Sequence, residues 1–119
     1  GHDGSISTGH ANSTKDMLSR LETMVLCGAQ LPLDAIRQQI ASGIDILVHL
    51  SRLRDKSRRV MEITEIVEYS DREIKLNPLF VFEEEGETAD KRVIGTLKRT
   101  KNKMVHKYKF KLAGVSDEV

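Results

Sequence analysis

Residues 31–70, LPLDAIRQQIASGIDILVHLSRLRDKSRRVMEITEIVEYS, change their hydrophobic period partway along, and that change sets the fold. At the start Leu33, Ile36, Ile40 and Ile44 recur at three- and four-residue spacing, one face of a helix, while Arg37, Gln38 and Gln39 fall on other faces. Pro32 is expected at the first helical position, where its fixed φ suits the helix and its missing N–H costs nothing. From Ile46 the period becomes two: Ile46, Val48 and Leu50 alternate with Leu47, His49 and Ser51. Both sets are partly apolar, as in a strand covered on both sides, so this strand is expected inside a sheet. RDKS then turns the chain, and RRVMEITEIVEYS returns as a second long strand. The result is an antiparallel hairpin whose tip carries Arg52, Arg54, Lys56, Arg58 and Arg59.

Working back toward the N-terminus, Ser13 with Asp16 three residues later forms a capping-box pattern, in which the hydroxyl takes a free backbone N–H. Met17, Leu18, Leu21, Met24 and Val25 follow on one helical face, and Gly28 is the expected left-handed stop. Before this helix, GHDGSISTGHANS (residues 1–13) reads as a short strand at SIST, with β-branched Ile6 and Thr8, followed by a turn. Toward the C-terminus, REIKL and LFVFEEE are two short strand candidates, GETAD a polar turn and RVIGTLKR another strand. In KNKMVHKYKFKLAGV (residues 101–115), Val105, Tyr108 and Leu112 fit a helix, whereas the Lys-X-Lys alternation fits a strand. A helix closed by Gly114 is the preferred expectation.

The chain has 119 residues, 39% hydrophobic and 31% charged, enough for one domain with a modest core. Aromatics are only 4% and Trp is absent, so Leu, Ile, Val and Met must build that core. No apolar stretch approaches the roughly 18 residues of a membrane span, and GHDGSIST does not resemble a secretory leader. Cys27 stands alone, which excludes an internal disulfide and a cysteine-rich zinc site and suits a reducing compartment. The expectation is a soluble intracellular domain or a fragment of one.

The net charge of +1 conceals an asymmetry: residues 91–119 carry 9 basic side chains against Asp117 and Glu118. Such an end either solvates the protein or docks on an anionic surface. A small basic nucleic-acid-binding module is therefore an alternative reading. It lacks the interleaved aromatics that stack on bases, since Tyr108 and Phe110 are the only ones in the basic segment.

The chain contains no GxxxxGK[ST] phosphate loop, no GxGxxG, no HExxH or CxxC metal pattern and no GxSxG elbow. Two histidines, His2 and His10, bracket SIST, but no third ligand of matching spacing lies near, so no metal site is expected. An imidazole at the end of a strand can instead donate a hydrogen bond to a phosphate oxygen or position a water.

GHDGSISTGHANS, RLETMV and LPLDAIRQQIASGIDILVHLSRLRDKSRRV together resemble the C-terminal part of the type II/type IV secretion ATPase superfamily, in particular the CpaF/TadA-type ATPases of Flp pilus assembly. The first matches their histidine box, the second the helix after it, the third the next helix and hairpin. The resemblance covers residues 1–68 strongly, with NPLFVFEEEG and KLAGV matching more loosely. It implies an α/β fold, the C-terminal portion of a RecA-like domain, built as two helices followed by an antiparallel, hairpin-rich sheet. The histidine box would lie at 1–13, the core at 14–84 and a basic C-terminal segment at 91–115. In such ATPases the phosphate loop, the aspartate box and the acidic Walker B strand precede the histidine box. The full-length protein would then use ATP and Mg²⁺, whereas this part alone would bind no cofactor and be inactive. The resemblance further implies a homo-hexamer working on inner-membrane pilus or secretion platform proteins, cytoplasmic at the inner face of the membrane, with nucleic acid disfavoured as partner. His10 is the first candidate for contacting the γ-phosphate or its water and His2 the second, with Thr8 and Ser13 in support. His49, on a strand, is expected to be a buried, hydrogen-bonded imidazole. Arg20, Arg37 and the hairpin-tip arginines are available for subunit contacts, and none is assigned as an arginine finger.

Overall fold

In the computed structural model, residues 6–28, 30–108 and 114 are described. Helices α1 (Thr14–Gly28) and α2 (Leu33–Gly43) precede strands β1 (Ile46–Arg52), β2 (Arg58–Ser70), β3 (Glu73–Glu87) and β4 (Val93–Arg99). The strands form one antiparallel sheet in sequence order, β1-β2-β3-β4. Two helices on an antiparallel sheet are the architecture the periodicity predicts. Among the described residues no helix is long and apolar enough to cross a membrane.

The helices lie on one face of the sheet. Leu18 of α1, Ile36 and Ile40 of α2 and Ile66 of β2 form the buried core, with Leu21, Val25, Leu47, Ile74 and Leu76 packed around it. Ile36 is fully buried. Complete burial of such a side chain contributes about 1.5–3 kcal/mol relative to leaving it in water. Polar ties lock α2 to the far end of the β2–β3 hairpin. Arg37 pairs with Glu22 of α1 at 2.9 Å and donates to the Arg72 carbonyl at 3.3 Å, while the Tyr69 hydroxyl donates to Asp34.

Several local expectations need correcting. Residues 6–8 of SIST are not in a strand: no described strand offers them a partner, and Ile6 is 99% exposed. Gly28 ends α1 as its last helical residue, outside the left-handed region. Pro32 sits one place earlier than expected, as the N-cap of α2 with extended ψ. REIKL, from Glu73 on, and LFVFEEE belong to one 15-residue strand, β3. Pro78 in its middle, which cannot donate to the ladder, is accommodated where the β2–β3 register shifts between Ile63 and Thr64. A two-residue turn, Asp71-Arg72, joins β2 to β3 with both φ angles positive (53° and 62°), the geometry whose twist matches a hairpin. Neither residue is the glycine that would have announced it.

The largest correction concerns β1. It pairs only with β2, so among the described residues it is an edge strand and not an internal one. At the opposite edge, Gly95 of β4 leaves room for the Phe82 ring: a Cβ there would stand 2.5 Å from Phe82 Cζ. Arg59 reaches across from β2, its guanidinium 5.9 Å from the centre of that ring and its Nη2 donating to the Val93 carbonyl at 3.0 Å. The expected C-terminal helix lies largely outside the described residues, but Gly114 has φ 73°, the left-handed conformation that glycine favours.

Candidate functional site

The histidine-box segment is fixed to the sheet through the start of α1. Ser13 is the cap: its Oγ accepts the Asp16 N–H at 3.0 Å, and its carbonyl accepts the Met17 N–H at 3.0 Å. The Asp16 carboxylate reaches back to the Asn12 N–H at 2.8 Å, so the reciprocal half of the box closes one residue earlier than the pattern predicts. That bond and the Arg20 guanidinium at 3.0 Å hold the Asp16 carboxyl below the usual carboxylate range. Gly9 lies against Met17, where a Cβ would meet the Met17 methyl at 2.7 Å. The turn 9–12 is thus pinned at both ends, and His10 projects from it, exposed, with no hydrogen-bond partner among the described residues.

Beneath this turn lies a polar cluster that sequence reasoning missed. Buried Thr14 donates from Oγ1 to Glu62 Oε2 at 3.0 Å, and fully buried Thr64 donates to the same oxygen. Glu62 thereby connects α1 to the centre of β2. It is also the cross-strand partner of His49. His49 is half-buried on the sheet face that carries Leu47, and its ring has no hydrogen-bond partner among the described residues, so the expectation of a buried, bonded imidazole is corrected. An edge strand leaves that ring partly in water. The only trace of the cluster in the sequence is the threonine after the cap, which periodicity alone reads as a helix-surface residue.

His2 lies outside the described residues. Thr8 is exposed and in no strand. Among the described residues no three His, Cys, Asp or Glu side chains converge as a metal site, and Cys27 is exposed.

Of the hairpin-tip charges, Arg54 and Arg59 are engaged. Arg54 bridges Glu84 and Glu87 of β3, the latter at 2.7 Å, and Lys98 bridges Glu83 at 3.4 Å and Glu85 at 3.1 Å. Asp55 accepts the Ser57 and Val93 N–H groups, tying the β1–β2 turn to β4. The Ser57 hydroxyl and these amides lower its carboxyl to about 2. The acidic end of β3 thus pairs with one cation of the hairpin tip, Arg54, and one of β4, Lys98. Arg52, Lys56 and Arg58 are exposed, and Arg52 and Arg58 face each other across β1 and β2.

No family model matches this chain. Two proteins of Mycobacterium tuberculosis, from strain CDC 1551 / Oshkosh and strain ATCC 25618 / H37Rv, are each 35% identical to it over 63 residues and are named, provisionally, as conjugal transfer proteins. The matched region is 53% of this chain and 18% of each relative, so the chain spans under a fifth of the relatives' length.

Proposed function

We propose that this chain is the C-terminal part of an ATP-hydrolysing motor of the type II/type IV secretion class, driving pilus assembly or protein secretion. The carrying observation is the ordered run of histidine box, helix, and helix-plus-hairpin through residues 1–68; the likeness to conjugal transfer proteins supports it. In this reading the motor is a homo-hexamer that works on membrane-embedded platform proteins from the cytoplasmic side.

ATP and Mg²⁺ supply the transferable phosphoryl group and the cation that neutralises its charge. Exposed His10 fits a donor to a phosphate oxygen, held on a turn that Ser13, Asp16 and Met17 keep in place. The described residues do not fit the cation itself, because no acidic or histidine cluster is present among them. In this reading the phosphate cradle and the metal ligands are supplied by the rest of a longer polypeptide. Glu62 acts as a positioning residue for the His10 turn, through Thr14.

Recovering the upstream coding sequence tests the reading first: a phosphate loop is expected there, and its absence overturns the proposal. In the longer protein, His10→Ala should lower ATP turnover about a hundredfold while leaving nucleotide affinity nearly unchanged, as expected for a contact made as the bond breaks. His49→Ala should lower the melting temperature and leave the specific activity of folded protein intact. Near-normal turnover in His10→Ala removes His10 from the site.

A further inference from the structure

β3 has a strand on both sides along only part of its length. β4 pairs with it from Phe80 to Glu87, so from Glu73 to Leu76 the edge away from β2 has no strand beside it among the described residues. The chain beyond β4 does not close that edge. The Thr100 N–H donates to the Leu79 carbonyl at 2.8 Å, and the Asn102 side chain to the Pro78 carbonyl at 2.9 Å. From there the chain crosses the sheet face opposite the helices. Asn77 Nδ2 holds the Lys103 carbonyl at 2.9 Å, and the Glu65 carboxylate, 1% exposed, accepts the Val105 and His106 N–H groups at 2.8 Å and 2.9 Å. An open edge is a template for a further strand, because its outward N–H and C=O groups have no ladder to join.

A groove of about 440 Å³ lies between this stretch and α1. Ile74, Lys75 and Leu76 all line it. Consecutive strand residues point to opposite faces, so a groove that meets all three reaches past the helix-facing side to the edge itself. No residue of β2 lines it, which places it at the open edge. Its floor is apolar, since Leu18, Ile74 and Leu76 belong to the core or pack against it. Arg37 closes one end, bonded at once to Glu22 of α1 and to the Arg72 carbonyl. The helix wall from Glu22 back to Lys15 covers about 10 Å and the strand wall from Arg72 to Leu76 about 13 Å, so the two match in length.

The groove carries an excess of positive charge. Its two carboxylates are engaged, Glu22 by Arg37 at 2.9 Å and Glu73 by Lys75 at 3.2 Å. Lys15 and Arg72 also line it; both are exposed, and neither side chain has an ion pair or hydrogen bond among the described residues. Arg72 stands at the closed end and Lys15 at the other. We propose that the open edge of β3 takes an extended acidic peptide of a partner protein as an added strand. Main-chain bonds to β3 hold it, alternate side chains fill the floor at Leu18, Ile74 and Leu76, and its carboxylates meet Arg72 and Lys15. A bare anion would use the two cations but leave the floor and the edge empty. This inference does not depend on the motor reading.

The probe is a fluorescein-labelled peptide of alternating valine and threonine with a glutamate at each end, titrated into the whole chain and followed by fluorescence anisotropy. Saturable binding is expected, and it should weaken about tenfold in the chain with Lys15→Glu and Arg72→Asn, which loses both ion pairs. Asparagine tolerates the left-handed φ of 62° at position 72, and neither replaced side chain has a partner to lose, so the melting temperature should stay the same. A second measurement reads the added strand directly: the peptide should slow amide exchange within residues 73–76 several-fold and leave the free edge of β1 unaffected. Absence of saturable binding overturns the proposal, as does equal binding of the same peptide with lysine at each end. Binding without protection at 73–76, or full displacement by an equal concentration of inorganic phosphate, overturns it in favour of a simple anion site. A chain that sediments as a dimer with those amides already protected overturns it too, since a second copy then fills the edge.

Discussion

The two faces of the sheet are held by opposite physics. On the helix side, Leu18, Ile36, Ile40 and Ile66 exclude water from one another, and the contact is non-directional. On the other side, a single buried carboxylate, Glu65, organises the crossing segment through three N–H donors, from Val105, His106 and Asn77. The first arrangement tolerates hydrophobic replacements of similar volume. The second fails once its acceptor is removed, because the Val105 and His106 amides and the Asn77 side chain lose the carboxylate they share. Apolar packing therefore holds the helical layer to the sheet globally, whereas the C-terminal crossing is a local attachment that can open on its own.

The sharpest way to break this comparison is Ile36→Ala. Removing a fully buried side chain from the helix–sheet core should cost about 2–5 kcal/mol and lower the unfolding midpoint of the whole domain. A loss under about 1 kcal/mol, measured by chemical denaturation, would show that the helical layer contributes little to holding the domain together.

Glu65→Ala should cost less, about 2–3 kcal/mol, and act in one place: amide exchange should speed up at residues 103–106 before it does in α1 or α2. Uniform acceleration would erase the distinction between the two faces. Acid offers the same test without a substitution. Burial pushes the Glu65 carboxyl up, but the Val105 and His106 amides and the Asn77 side chain outweigh it and hold it below its ordinary value. A carboxyl lowered in the folded state adds stability above its unfolded pKa, near about 4.3, and that stability is lost as the pH falls through the lower folded value. Protection at 103–106 should therefore fade below about pH 4, and should not change with pH in the Glu65→Ala chain.

Ser13→Ala is the smallest of these effects. Losing the cap of α1 should cost about 1 kcal/mol, since one first-turn N–H loses its acceptor while the packing of Leu18 persists. Melting temperature checks the magnitude. An effect as large as that of Ile36→Ala would mean that the histidine-box turn, and not the core face, fixes α1 to the sheet.

Both helices, the β1–β2 hairpin, the Ser13 cap and the helix-facing core were legible in the sequence, because each rests on a spacing or on neighbours within four residues. The period of 3.6 in residues 33–44 placed Ile36 and Ile40 inside, whereas the period of two from Ile46 onward did not reveal that Ile46, Val48 and Leu50 stay exposed. The fusion of REIKL and LFVFEEE into β3 was not legible. Asp71-Arg72 carries no turn signature, and Pro78 argued for a break that a register shift absorbs. Of the candidate site, the turn bearing His10 was legible from its capping residues, but the Thr14–Glu62–Thr64 cluster beneath it joins residues 48 apart in the chain.

Local covalent neighbourhood, then, determined the elements, their polarity and the resemblance that suggests a motor. Only the tertiary structure decided that β1 is an edge, that Glu62 anchors the histidine turn and that Glu65 holds the C-terminal crossing. The physical reason is that a carboxylate's role depends on which N–H and O–H groups the fold brings to it. Glu62 and Glu65 sit three apart in one strand, identical in chemistry, yet one ties down the start of α1 and the other the segment at Val105 and His106.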